Sequence, residues 1–303
     1  MNFGGYQKPA SIHNRAAAFF GELLTKRAGS TVEFRLIGSI LDELGRKSGD
    51  LPDMVASGEL AFCYMSTVRF TKAAPELGIL ELPFVVKERR AAYAAFDGAF
   101  GELVKRRIRD DSPFRVLGIW DNGFRHLSNS VHPIRKPGDC RGLTIRTQMS
   151  ALHGEAFRAL GFEPMAVDIK EFTENIATGR FQAQDNPLTN IYNFGVHRYH
   201  RYLTLTGHFY GASLMICNEA RYQGWPAEVR AAVDAAALEA TAFQRRLAAA
   251  EDAEILAKFD RGTVEIAELT GPERAAFVTA LQPVVDRHRG DFDPALFAAL
   301  EGR

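Results

Sequence analysis

Short runs of β-type residues alternate with longer amphipathic helical runs along most of this chain, and that alternation points to an α/β architecture built on parallel strands. Asn2 to Tyr6 is strand-like. From Ser11 to Arg27 the apolar residues Ile12, Ala16, Phe19, Phe20, Leu23 and Leu24 recur at helical spacing, and Thr31 to Leu36 returns to strand alternation. A second round predicts a helix at Leu51 to Ser57, a strand at Leu60 to Met65, a helix at Glu88 to Arg109 and a strand at Phe114 to Trp120. These segments make a first lobe.

The grammar then repeats. Strands are expected at Phe124 to Ser128, Leu143 to Thr147, Pro164 to Val167 and Phe181 to Gln184, with helices at Ser150 to Leu160 and Glu171 to Ala177. Extended segments follow at Tyr202 to Thr206 and Phe209 to Cys217. No Gly/Ser- or Pro-rich linker separates this second lobe from the first, which predicts several chain crossings rather than beads on a string. From Pro226 to about Phe259 the chain is rich in Ala, Glu and Arg, and one long helix is expected, roughly 50 Å at about 1.5 Å per residue. Thr263 to Ile266 reads as a strand, and Thr270-Gly271-Pro272-Glu273 has capping-box spacing before a helix at Glu273 to His288.

Composition removes whole classes of function. Lys+Arg and Asp+Glu both number 37 in 303 residues, so no overall field draws the chain to nucleic acid or to an anionic membrane surface. Any bound anion must be met locally. The apolar runs fall well short of a membrane span, so no direct membrane insertion is expected. The three cysteines, Cys63, Cys140 and Cys217, are far apart and read as small core residues. Met1 to Tyr6 lacks a basic region followed by an apolar run, so the chain as given shows no secretory signal; a signal already removed would leave the same sequence.

Nucleotide loops, metalloprotease helices and nucleophile elbows are missing, and no cofactor or metal is expected. His197 and His200 share helical spacing, but no Cys or carboxylate stands at ligand spacing nearby. The arginines say more. In Gly142-Leu143-Thr144-Ile145-Arg146-Thr147, alternation sends Arg146 away from Leu143 and Ile145 and sets it near the strand's C-terminal end, where ligands of open α/β sheets gather. A guanidinium there matches a carboxylate bidentately; the alternative is an ordinary surface arginine. Arg125, in Asp121-Asn122-Gly123-Phe124-Arg125-His126, either supplies a second cation or pairs with Asp121. Asn186 precedes Pro187, which holds its amide in extended geometry at a strand end. His208, between Gly207 and Phe209, is either a ligand contact or a plain hydrogen-bonded histidine. Two cations and a neutral amide at strand ends suit an anion that is recognised without being altered.

Trp120-Asp121-Asn122-Gly123-Phe124-Arg125-His126, Gly142-Leu143-Thr144-Ile145-Arg146, Gln184-Asp185-Asn186-Pro187-Leu188 and Tyr202-Leu203-Thr204-Leu205-Thr206-Gly207-His208, in this order and spacing, resemble the solute-binding subunit of TRAP (tripartite ATP-independent periplasmic) transporters. The resemblance runs from Phe3-Gly4 to at least the helix after Pro226. It implies a type II periplasmic-binding-protein fold, with two α/β lobes, a hinge of crossing strands and a long helix spanning both. Lobe I would be residues 1–122 plus about 213–250, lobe II about 123–212 plus 251–303, and the ligand cleft would lie between them. The implied activity is capture of a small organic acid in the periplasm and its delivery to TRAP membrane permease subunits.

By the same resemblance, Arg146 is the selectivity arginine, Arg125 the second arginine and Asn186 the asparagine of the Gln-Glu-Asn-Pro motif. First-lobe contacts would be Tyr6, Gln7, Ser66 and Arg69; further pocket positions are Gln148, Met149, Ile169 and Asn190. The chain departs from the family pattern at Thr147-Gln148, where proline is usual, at Thr173, which replaces a tyrosine, and at Asp185, which replaces a glutamate. Two other readings use the same scaffold: a ligand sensor, or an enzyme drawing on His208, Asp185 or Cys63.

Overall fold

A computed structural model describes residues 1–301. Its strands are β1 (Asn2–Gly4), β2 (Arg35–Ile37), β3 (Phe62–Ser66), β4 (Phe114–Asn129), β5 (Thr144–Thr147), β6 (Glu163–Ala166), β7 (Ala183–Pro187), β8 (Tyr202–Asn218) and β9 (Glu265–Glu268). The chain divides into two units. Unit 1 is Met1–Pro75, Gly101–Asn122 and Ala212–Glu251; unit 2 is Glu76–Phe100, Gly123–Gly211 and Asp252–Arg303, of which residues 302–303 lie outside the described part.

Unit 1 is a sheet in the order β2-β1-β3-β8-β4, parallel from β2 to β3 and antiparallel where β3 meets β8. Phe3, fully buried, is ringed by Phe20, Phe62, Tyr64 and Trp120, with centroids 5.9 to 6.4 Å away. The helix Ile12–Ala28 adds Ile12, Ala16, Phe20 and Leu24 at four-residue intervals, the spacing that keeps them on one face. Ser11 caps it by accepting from the Asn14 amide, and Lys26 and Arg27 sit in the last turn, where cations complement the helix dipole.

The long helix Ala227–Leu256 runs unbroken for 30 residues, about 45 Å. Its polar side chains lace it to β4: Thr241 Oγ1 accepts from Trp120 Nε1, Gln244 bonds both backbone groups of Asp121, and Arg245 donates to the Ile119 carbonyl. Its last turn, from Asp252, belongs to unit 2.

Unit 2 is a sheet in the order β8-β4-β7-β5-β6, with β9 alongside β8. β7, β5 and β6 run parallel, and β4 lies antiparallel to β7. Leu127, Leu143, Ile145, Phe157, Phe162, Phe209, Phe277 and Leu281 share one apolar core. The capping box at Thr270 and Glu273 is present at the start of the helix Gly271–Arg289.

Several boundaries differ from the sequence reading. The runs 114–120 and 124–128 form one strand, β4, and the runs 202–206 and 209–217 form one strand, β8. Gly123 (φ 88°) and Gly207 (φ 53°) adopt the left-handed backbone that only glycine takes cheaply, so each strand passes through its glycine without ending. The expected helix from Glu88 to Arg109 is two helices, Arg89–Asp97 and Ala99–Asp111, parted at Gly98. Glu76–Phe100, counted with lobe I from the sequence, packs with unit 2 instead, tied there by contacts from Arg89 to Asp252 and from Glu81 to His153. The final helix, Pro294–Glu301, went unread in the sequence.

Candidate functional site

Alternation along β5 buries Ile145 in the apolar core and turns Arg146 to the other face, yet Arg146 is also buried, only 4% exposed. Its Nε and one terminal nitrogen both donate to the Val167 carbonyl, at 3.1 and 2.8 Å. Val167 directly follows β6, whose parallel register sets Met165 opposite Arg146. One edge of the guanidinium is thus clamped by a neutral oxygen, which fixes its plane. Phe172 packs against it, its ring centre 5.6 Å from Cζ. The helix that carries Phe172, Ile169–Asn175, is capped by Asp168 and buries Ile169. Gln148 and Met149 lie in the turn after β5; Met149 is exposed, and the Gln148 carbonyl accepts from Thr147 Oγ1 and the Ser150 amide.

Beside β5, β7 brings Gln184 opposite Arg146. A relay of amides starts here: Gln184 Nε2 donates to Ser128 Oγ at 2.6 Å, Asn186 Nδ2 donates to Gln184 Oε1 at 2.5 Å, and Asn190 Nδ2 donates to Asn186 Oδ1 at 3.4 Å. The Asn186 and Asn190 side chains are thereby oriented as a pair, both buried.

Arg125 has a different setting. Only 2% exposed, it is held by Asp185, whose Oδ2 accepts from Nε at 2.5 Å and whose carbonyl accepts from a terminal nitrogen; that nitrogen also reaches Asn186 Oδ1 at 3.5 Å. The carboxylate that meets it is therefore Asp185, where the sequence suggested Asp121; the β4–β7 register, with Arg125 opposite Pro187, sets this partner. Burial pushes the Asp185 carboxyl up, but the Arg125 guanidinium and His208 outweigh that and hold it well below the usual carboxylate range.

His208 lies in the interior of unit 2 against Phe157 and Phe209. Its Nδ1 pairs with Thr206 Oγ1 at 2.6 Å, and Nε2 lies 3.6 Å from Asp185 Oδ2, an ion-pair separation longer than a hydrogen bond. Burial lowers the His208 imidazole despite that carboxylate. His153 stacks on Phe209 at 4.0 Å and sets Nε2 2.6 Å from Glu81 Oε2.

In unit 1, Tyr6 forms a bridge with Ser39 and its ring meets Tyr64 at 5.4 Å. Gln7 is buried; its amide nitrogen donates to Asn122 Oδ1, and among the described residues its Oε1 has no partner. Ser66 ends β3, and Arg69 lies in the turn that follows.

Other expected groups are occupied structurally. His197 stacks on Tyr192, and His200 is buried between Ser128 and the Phe181 carbonyl. Among the described residues no group of three or more His, Cys, Asp or Glu is placed to hold a metal. Cys63 is fully buried and burial pushes its thiol up, the opposite of nucleophile activation. Among those residues no helix is long and apolar enough to cross a membrane. Sequence reasoning did not anticipate the Val167 carbonyl, the Phe172 ring or the Gln184 relay. Gln184 lay within the quoted Gln-Asp-Asn-Pro run, so that run was the available signal.

The chain resembles known proteins over nearly its whole length. The model of "Bacterial extracellular solute-binding protein, family 7" matches residues 3–291. The 2,3-diketo-L-gulonate-binding periplasmic protein YiaO of Escherichia coli is 28% identical over 286 residues, 93% of this chain and 84% of that protein. The C4-dicarboxylate-binding periplasmic protein DctP of Rhodobacter capsulatus is 27% identical over 94% of this chain and 85% of its own. A crystal structure of a TRAP periplasmic solute-binding protein from Sulfurospirillum deleyianum with bound succinate superposes with a TM-score of 0.93 at 25% identity, covering 99% of this chain and 97% of that one. With a type II periplasmic-binding-protein fold, this chain belongs to family 7 of the bacterial extracellular solute-binding proteins, the solute-binding proteins of TRAP transport, and not to a family of enzymes.

Proposed function

We propose that this protein captures a small organic acid in the periplasm by a salt bridge from the acid's carboxylate to Arg146 and delivers it to TRAP membrane permease subunits. The observation that carries this reading is the clamped, buried guanidinium at the end of β5. A planar fork whose orientation is already fixed loses little rotamer freedom when a carboxylate docks, and in a dry setting the ion pair is stronger than in water. Asn186 and Asn190 are proposed to hydrogen-bond the acid, supported by the relay that orients both amides.

Arg125 is proposed as the weaker of the two cations toward ligand, because Asp185 already balances its charge. Ile169, Gln148, Met149 and His208 are the further proposed contacts of unit 2; Tyr6, Gln7, Ser66 and Arg69 are those of unit 1, where the unpartnered Gln7 Oε1 gives the strongest support. The acid is proposed to be of the kind the relatives are named for, a C4-dicarboxylate or a sugar-derived acid. Calorimetric titration with succinate and with 2,3-diketo-L-gulonate tests this. Binding of an acid by the parent and its loss in Arg146→Ala is the expected result; near-parental affinity in that variant removes Arg146 from the site.

A further inference from the structure

A pocket of about 380 Å³ opens in unit 2 among Tyr192, Tyr199, Arg198, Arg201, Lys258 and Asp260, and it shares no residue with the surroundings of Arg146. That volume falls at the small end of the range for small-molecule sites, about 300 to 1,000 Å³. Three cations stand around it, all exposed: Arg198, Arg201 and Lys258. None of them has a carboxylate within ion-pairing distance among the described residues; Arg201 and Lys258 stand over the rings of Tyr202 and Tyr192, each 5.9 Å from the ring centre. Asp260, the pocket's own acid, is committed to its turn, accepting from the Gly262 amide at 2.9 Å and from Thr263 Oγ1 at 3.3 Å. Some exposed arginines elsewhere on unit 2 are matched to acids, as in Arg135–Glu273, Arg180–Glu171 and Arg287–Glu155, while Arg90, Arg141, Arg158 and Arg261 are not among the described residues; what sets this pocket apart is that three cations gather around one concavity with aromatic walls.

The walls are aromatic and well supported. Tyr192 and His197 stack in parallel at 4.8 Å and 6°, and Phe259 meets both edge-on at 5.5 Å. Burial keeps the His197 imidazole below its ordinary range, so this ring adds surface rather than charge near neutral pH. Tyr199 is 48% exposed. Unmatched guanidinium forks favour carboxylate or phosphate groups, and an exposed aromatic face such as that of Tyr199 favours a flat ring.

We propose that this pocket is a second anion site, separate from Arg146, which takes a planar polyanion: an aromatic ring carrying several carboxylate or phosphate groups. The test is calorimetry on Arg146→Ala protein with three probes, benzene-1,2,4-tricarboxylate, adenosine 5′-diphosphate and uncharged adenosine. At least one of the two anions binds, adenosine does not, and Arg198→Gln with Arg201→Gln weakens the anion by about tenfold or more, as expected for lost charge-assisted hydrogen bonds. Whichever anion binds tells carboxylate from phosphate chemistry. Binding by neither, equal binding of adenosine, or unchanged affinity in the double variant overturns the proposal. Both arginines are exposed, so a melting temperature matching the parent's confirms the fold, and Lys258→Gln repeats the test independently. Succinate titration of the parent is read separately, so failure here leaves the Arg146 assignment standing, and the converse also holds.

Discussion

Two buried polar clusters, one in each unit, are built in opposite ways. Around Tyr64 in unit 1 the interior is neutral: the phenol donates to Asn14 Oδ1 and accepts from the Tyr6 and Gln7 amides, while His13 lies beside its ring with neither imidazole nitrogen bonded among the described residues. Burial drives that imidazole down to about 3, so His13 is uncharged at any ordinary pH. Around Asp185 in unit 2 the interior is ionic, with Arg125, Asp185 and His208 in contact beneath strand ends that also carry Arg146 and Asn186. A neutral interior is cheap to desolvate but holds no charge for a ligand. A buried ion is costly unless its partners stay in place, and that requirement fixes the groups around it.

Removing one partner from the ionic interior should do the most damage. Asp185→Ala leaves the Arg125 charge buried and unmatched, and is expected to cost about 3 to 5 kcal/mol in urea unfolding. The double replacement Arg125→Met with Asp185→Leu should recover most of that; if the double variant is no more stable than the single one, the ion pair is not the source of the loss. Next comes Arg146→Ala. It should weaken acid binding by about 2 to 5 kcal/mol, at least 30-fold, with Arg146→Lys recovering little because an ammonium cannot reproduce the fork.

In the neutral interior, Tyr64→Phe strands two amides and an amide oxygen, and a loss of about 1 to 3 kcal/mol is expected. An unchanged urea midpoint would mean that water replaces the phenol. The smallest effect is in pH dependence. Burial holds the folded His13 near 3 while the unfolded one keeps its ordinary value of about 6.5, so the unfolded state binds the extra proton between those values. His13 thus lends stability that is present above about 6.5 and is lost as pH falls toward 3, by up to about 1.4 kcal/mol per pH unit. Replacing His13 with Leu should flatten the fall in urea midpoint between pH 7 and pH 5 relative to the parent. Parallel curves would show that His126 or His200, lowered in the same sense, dominate instead.

Much of the scaffold was legible because it is written locally. Four-residue spacing of Ile12, Ala16, Phe20 and Leu24 needs only one helix to be read, and the same is true of the Thr270–Glu273 capping box and the breaker-free run before Leu256. The strand-end position of Arg146 also follows from alternation within β5. Gly123 and Gly207 misled for the same reason: a glycine between two strand-like runs looks like a break, and only pairing to neighbouring strands shows that the chain continues through it.

The amino-acid order by itself determined the α/β grammar, the long helix and the strand end on which Arg146 sits, since each depends on residues a few places apart. What holds Arg146, what neutralises Arg125 and where Glu76–Phe100 packs were decided only in three dimensions. Val167 is 21 residues from Arg146 and Asp185 is 60 from Arg125. Such partners are chosen by strand register and burial, which pattern along the chain does not encode.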